Sequence, residues 1–159
     1  MKRSQKGFSL IELLIVVAII LIIAAIAIPN LIKARMQANE ASAVASIHAL
    51  NTAEMSYSSA FPTIGFSASL ADLGDGGSSP CPGSATASCY IDPNLAGGTK
   101  SGYKFTWSKG SGTPTTGYSI VSDPVAPGTS GTRGFYTDQS GVIRYNSGAG
   151  ASSADSPLQ

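Results

Sequence analysis

From Phe8 to Ile28 the chain is apolar at every position except Ser9 and Glu12. Wound as a helix at about 1.5 Å per residue, such a run spans roughly 31 Å, close to the hydrocarbon thickness of a bilayer. Its residues are apolar all round rather than along one stripe, so a helix here needs burial on every side. The pattern changes after Pro29. Residues 30–60 hold neither Gly nor Pro, are rich in Ala, and include Glu, Gln, Met and Leu. Ala43, Ile47, Leu50, Tyr57 and Phe61 recur at steps of three, four or seven, which predicts one apolar helical face. Glu54 falls on that face and interrupts it. Pro62 and Gly65 then end the helix. Pro29 within a continuing helix removes one hydrogen bond to the carbonyl of Ala25 and tends to kink the axis. The alternative is that Pro29 simply ends the membrane helix.

Beyond Phe61 the periodicity is two. Tyr103, Phe105 and Trp107 alternate with Lys104 and Thr106, the pattern of a half-buried strand. Residues 117–121 give a second strand. Two further runs, 135–137 and 142–145, flank Asp138-Gln139-Ser140-Gly141. Asp at the first and Gly at the fourth position favour a type I hairpin turn. Three or four antiparallel strands packed against the helical stripe of residues 30–61 make one small core. The predicted class is therefore α+β: a long N-terminal helix over residues 8–61, its first half crossing a membrane at 8–28, then a β-rich head over 62–159. The Gly-, Ser- and Ala-rich stretch from Asn146 to Gln159 is expected to be mobile.

Charge orients the chain. Lys2, Arg3 and Lys6 precede the apolar run, which places the N-terminus in the cytoplasm and the head across the membrane. Lys33 and Arg35, just past the span, oppose that rule but are outnumbered, and suit headgroup or partner contacts. The net charge is +1, and no basic stretch occurs outside the first six residues, so bulk charge does not suggest nucleic acid as a partner. Glu12 is the informative charge. An ionisable side chain inside a membrane span costs a few kcal/mol on insertion scales and usually marks function. A shallow position within reach of the headgroups is the plainer reading. A cut between Gly7 and Phe8 would place a new α-amino group about one helical turn from Glu12. With an ordinary pKa near 8, that amine would be largely cationic.

Lys6-Gly7-Phe8-Ser9-Leu10-Ile11-Glu12-Leu13 resembles the processing site of type IV prepilins and related pseudopilins, and the likeness covers roughly residues 1–36. The resemblance implies that residues 1–7 are a leader. A membrane prepilin peptidase would cut after Gly7 on the cytoplasmic side and then N-methylate Phe8. It implies that Glu12 pairs with the terminal amine of an adjacent subunit as copies polymerise on an inner-membrane assembly platform. Gly7 suits such a cut because its missing side chain leaves the backbone open to a protease cleft. Many members of the family carry a proline at the place of Pro29. The chain departs from a common family pattern at Leu21, where many members have a helix-weakening glycine. The implied product is a structural subunit of a surface pilus serving adhesion, motility or DNA uptake, a homo-oligomeric filament without catalysis or cofactor. It would begin as an inner-membrane precursor held by lipid and end as an extracellular fibre.

Two alternatives stay open. A pseudopilin of a type II secretion system would usually carry an Asp- and Gly-rich calcium loop near its C-terminus and a Trp-Gly-x-Pro-Tyr-like segment. Here Ser-Lys-Gly follows Trp107, and Asp155 is the sole acid of the tail. A secreted enzyme would need an ordinary signal peptide cut after Ala27, but the apolar run exceeds the usual length and contains Glu12.

The two cysteines, Cys81 and Cys89, lie in a Pro-, Gly- and Ser-rich loop beyond the membrane, where a disulfide is the natural pairing. Closing so short a loop is worth about 2.5 kcal/mol in the chain-entropy model. Two cysteines and a distant His48 fall short of a zinc site. His48 is expected to be a partly exposed helix residue. Asp72-Leu73-Gly74-Asp75-Gly76-Gly77 reads as a turn and lacks the ligand count of an EF-hand, with calcium as the alternative.

Overall fold

A computed structural model describes residues 8–78 and 80–158 of the 159. The chain divides into two compact units between Arg35 and Met36. The first contains the apolar start of α1, the helix Leu10–Ala60, and Pro29 lies inside this helix rather than at its end. Ser9 stands just before α1, and its N–H donates to Glu12 Oε2 at 2.9 Å. That reach from the third helical residue back to the cap position is half of a capping box and satisfies one orphan donor of the first turn.

The second unit holds the remainder of α1, two one-turn helices and a sheet. From Met36 onward α1 buries the expected Ala43, Ile47, Leu50, Glu54 and Tyr57, and with them Glu40, Ser46 and Ala53, while Phe61 is only partly buried. The sheet is an antiparallel meander in the order β1 to β6: β1 Thr99–Lys100, β2 Tyr103–Lys109, β3 Tyr118–Pro124, β4 Arg133–Asp138, β5 Arg144–Ser147 and β6 Ser156–Pro157. Tyr103 and Phe105 of β2, Tyr118 and Ile120 of β3, and Phe135 of β4 are buried in one cluster with Ile47, Leu50 and Tyr57. The observed class is α+β, with a six-stranded sheet where three or four strands were expected. The two added strands are two-residue edges, too short for a period-two pattern to declare itself.

The turn between β4 and β5 is the one the sequence predicts. Gly141 N–H donates to the Asp138 carbonyl at 2.9 Å, and Ser140 N–H to Asp138 Oδ1 at 2.9 Å. Gly141 has φ +73°, where an L side chain would be strained. Val142 and Ile143 lie before β5 rather than in it, although Ile143 is buried. At the end of α1, Gly65 has φ +82° and sits so close to the Thr115 backbone that an added side chain would collide.

Two further features were not read from the sequence. Residues 70–73 and 93–96 form short helices, α2 Leu70–Leu73 and α3 Pro93–Ala96. Asp92 caps α3, accepting the Leu95 N–H at 3.1 Å, with Pro93 in the first helical position. The stretch expected to be a mobile tail carries pairing of its own. Gly148 N–H donates to the Thr132 carbonyl, Gly150 N–H to Asp123 Oδ1, and Leu158 N–H to the Ile143 carbonyl. Ala151 is buried, and β6 pairs with β5. Glycine-rich composition signals low intrinsic order, but backbone donors that find carbonyls of a neighbouring sheet edge can still fix such a segment.

Candidate functional site

Every residue from 8 to 35 except Ala24 is exposed, including all the large apolar side chains from Phe8 to Ile32. Among the described residues α1 is long and apolar enough to cross a membrane. A soluble protein does not leave so continuous an apolar surface in water, so this segment is made for lipid or for other apolar helices. Glu12 lies one turn into it, with Oε2 engaged by Ser9 and no second protein donor to its carboxylate among the described residues. Phe8 is exposed just before the helix, whereas the Gly7 side of the expected cut lies outside the described residues. Lys33 and Arg35 are exposed at the far end of the apolar run. The geometry thus presents a carboxylate at the N-terminal end of the expected span and two cations at the other.

The second unit grips α1 through two buried carboxylates that the spacing argument did not assign. Glu54 is fully buried. Its Oε1 accepts the Ser67 hydroxyl at 2.6 Å and Trp107 Nε1–H at 2.9 Å, while Oε2 accepts Ser67 N–H at 3.0 Å. Burial without a cation pushes its pKa up, against the pull of these donors. Glu40, 5% exposed, accepts Thr132 N–H and Oγ1–H, both at 2.8 Å, Arg133 N–H at 3.2 Å and Arg133 Nε–H at 2.7 Å. Burial alone would raise this carboxyl, but the Thr132 and Arg133 donors outweigh it and hold the pKa below the ordinary value. Glu54 was visible as the acid that breaks the apolar stripe. Glu40 lies just before that stripe, and nothing in its spacing links it to Arg133, 93 residues away.

Cys81 and Cys89 are joined, their Cα atoms 6.3 Å apart, as the loop context predicts. The Tyr57 hydroxyl of α1 donates to the Ala85 carbonyl inside this loop at 2.7 Å, so the closed loop lies on the helix. Asp72 accepts the Ala68 N–H and Asp75 the Gly77 N–H, bonds that shape turns. His48 is exposed on α1. Among the described residues no three His, Cys, Asp or Glu side chains gather closely enough to hold a metal.

A span-length apolar helix with a carboxylate in its first turn, continuing into a small antiparallel head, defines a membrane-anchored α+β protein. Its first residues narrow the class. The prokaryotic N-terminal methylation motif matches residues 2–28. The chain is 66% identical over 38 residues to the type IV wide pilus major component PilA4 of Thermus thermophilus, covering 24% of this chain and 29% of that protein. It is 54% identical over 53 residues to the type IV major pilin protein PilA of Myxococcus xanthus, covering 33% of this chain and 24% of the relative. A fimbrial protein of Pseudomonas aeruginosa is 53% identical over 51 residues, covering 32% of this chain and 33% of that one. The matches span about a quarter to a third of the length of these relatives. No solved structure matches the chain. The motif and these relatives give the first quarter to third of the chain a likeness to type IV pilins.

Proposed function

We propose that the protein is a structural subunit of a type IV pilus. The uncovered apolar start of α1, with Glu12 in its first turn, carries this reading. It asks for lipid around the monomer and for other copies of the same helix in a fibre. The methylation motif over residues 2–28 supports a precursor held in the inner membrane with its N-terminus cytoplasmic. Prepilin peptidase cuts between Gly7 and Phe8 and methylates the Phe8 amine. The mature chain then leaves the bilayer through the assembly platform and joins an extracellular homo-oligomeric filament. Glu12 neutralises the Phe8 amine of a neighbouring copy. In a water-free bundle an unpaired carboxylate is costly, so this pairing fixes the axial register between subunits. Pro29 loosens the helix where one copy packs on the next. The head supplies the outer surface of the fibre, and its part is structural rather than catalytic.

Processing is tested at Gly7. A Gly7→Leu variant should accumulate as full-length precursor in the inner membrane, seen by intact mass, and should yield no surface fibres. A normally cleaved and methylated Gly7→Leu chain would overturn the assignment of the cut.

A further inference from the structure

The sheet is wider than the helix it packs against. Six strands at about 4.8 Å spacing span roughly 24 Å, whereas a helix with its side chains is about 10–12 Å across. The helix-facing side chains of β2 to β4, among them Phe105, Ile120 and Phe135, are buried. Further along the same face the cover ends. Phe135 is in register with Tyr145, and Tyr145 with Ser156, and residues directly opposed across strands share a face. Tyr145, Ser156 and Arg133 line a cleft of about 480 Å³ there, together with Pro157 of the last strand and Leu158 just after it.

Arg133 is held in this cleft from two sides. Its Nε–H is committed to Glu40 Oε2 at 2.7 Å, and its guanidinium carbon lies 5.6 Å from the Phe135 ring centroid and 5.7 Å from that of Tyr145. The Glu40 carboxylate already accepts four bonds and is 5% exposed, while the Arg133 side chain is 40% exposed. Among the described residues neither Nη atom of Arg133, nor the Tyr145 hydroxyl, nor the Ser156 hydroxyl has a hydrogen-bond partner. The result is a fixed planar fork of donors beside the Tyr145 ring and the hydroxyls of Tyr145 and Ser156. Such a fork matches a carboxylate, which can take two parallel N–H bonds. The electron-rich face of an aromatic ring attracts the C–H face of a pyranose. The volume falls in the range of sites for small ligands.

We propose that this cleft binds a sugar carboxylate, a uronic acid unit, with Arg133 on the carboxylate, Tyr145 against the ring and Ser156 on a ring hydroxyl. The site belongs to the head alone and does not depend on filament assembly. The full-length chain in zwitterionic detergent is titrated calorimetrically with methyl glucuronide, methyl glucoside and acetate. The glucuronide binds saturably. The glucoside, lacking the carboxylate, and acetate, lacking the ring, each bind at least about tenfold more weakly. Arg133→Lys keeps a cation for Glu40 but removes the fork, and lowers glucuronide affinity about tenfold or more. Tyr145→Leu leaves the Arg133–Glu40 pair in place and also weakens binding, which keeps the test valid if Arg133→Lys unfolds. No heat from the glucuronide, equal affinity for the glucoside or for acetate, or unchanged affinity in the folded variants would each overturn the proposal. Loss of fibres in Arg133→Lys without glucuronide binding by the native chain would assign the fork to a carboxylate of a neighbouring copy instead, and overturn it too.

Discussion

Glu12→Gln should give fully cleaved protein that stays in the membrane and makes few or no fibres. Gln is nearly the same shape and still accepts a hydrogen bond, so it can take the Ser9 N–H that Glu12 Oε2 accepts at 2.9 Å. The start of α1 is therefore kept, and only the charge is removed. If Glu12 neutralises the terminal amine of a neighbour, that amine is left buried and unpaired at each junction. Breaking one side of a buried pair typically costs about 3–5 kcal/mol, softened near a bilayer by snorkelling and water defects. One such loss at every subunit contact is enough to stop a polymer. Glu12→Ala removes both charge and acceptor, so it should also fray the first turn. If Glu12 serves the helix cap alone, Glu12→Gln makes fibres in normal number and Glu12→Ala makes fewer. Electron microscopy of fibres, with the N-terminus checked by mass, separates the two. Abundant fibres from cleaved, methylated Glu12→Gln protein would end the assembly role.

The second large effect is expected in the head. Glu40→Ala should cost about 3 kcal/mol of stability, the low end for breaking a buried pair, because the freed Arg133 can reach water. Thr132 N–H and Arg133 N–H lose their acceptor as well. Denaturant unfolding of the full chain in detergent, read by the single tryptophan Trp107, measures this, and a loss below about 1 kcal/mol would contradict the grip described for Glu40.

The two buried acids also give stability a pH profile with opposite slopes. Glu40 is held below its ordinary value near 4.5, so its contribution is present above that pH and is lost as pH falls through the lower folded value. Asp92, paired with Lys100, and Asp138, bonded at its turn, are lowered as well and act in the same direction. Glu54 is the reverse. Its folded pKa is raised above 4.5, so its contribution is full below that pH and is lost as pH rises through the folded value. Stability should therefore peak in mild acid and decline on both sides. Glu54→Gln should flatten the decline on the alkaline side whatever its effect on overall stability. An unchanged slope there in the variant would show that another group is responsible.

Much of this protein is written locally. The membrane span follows from 21 residues interrupted by two polar ones, because burying a helix on all sides needs no knowledge of what covers it. The stripe Ala43, Ile47, Leu50 and Tyr57 follows from the helical repeat, and the Asp138–Gly141 turn from the conformational needs of its corners. The caps of α3 at Asp92-Pro93 and of α1 at Ser9-x-x-Glu12 are signals of the same local kind, although neither was among the elements predicted from the pattern. What tertiary structure decided are pairings between distant positions. Glu40 meets Arg133 only because β4 crosses the helix, and Glu54 meets Trp107 only because β2 does. Residues 148–158 pair with Thr132, Asp123, Ile143 and β5, partners that no composition can reveal. Hydrophobic period is a property of a segment, but the partner of a buried charge, or of an edge strand, is a property of the fold.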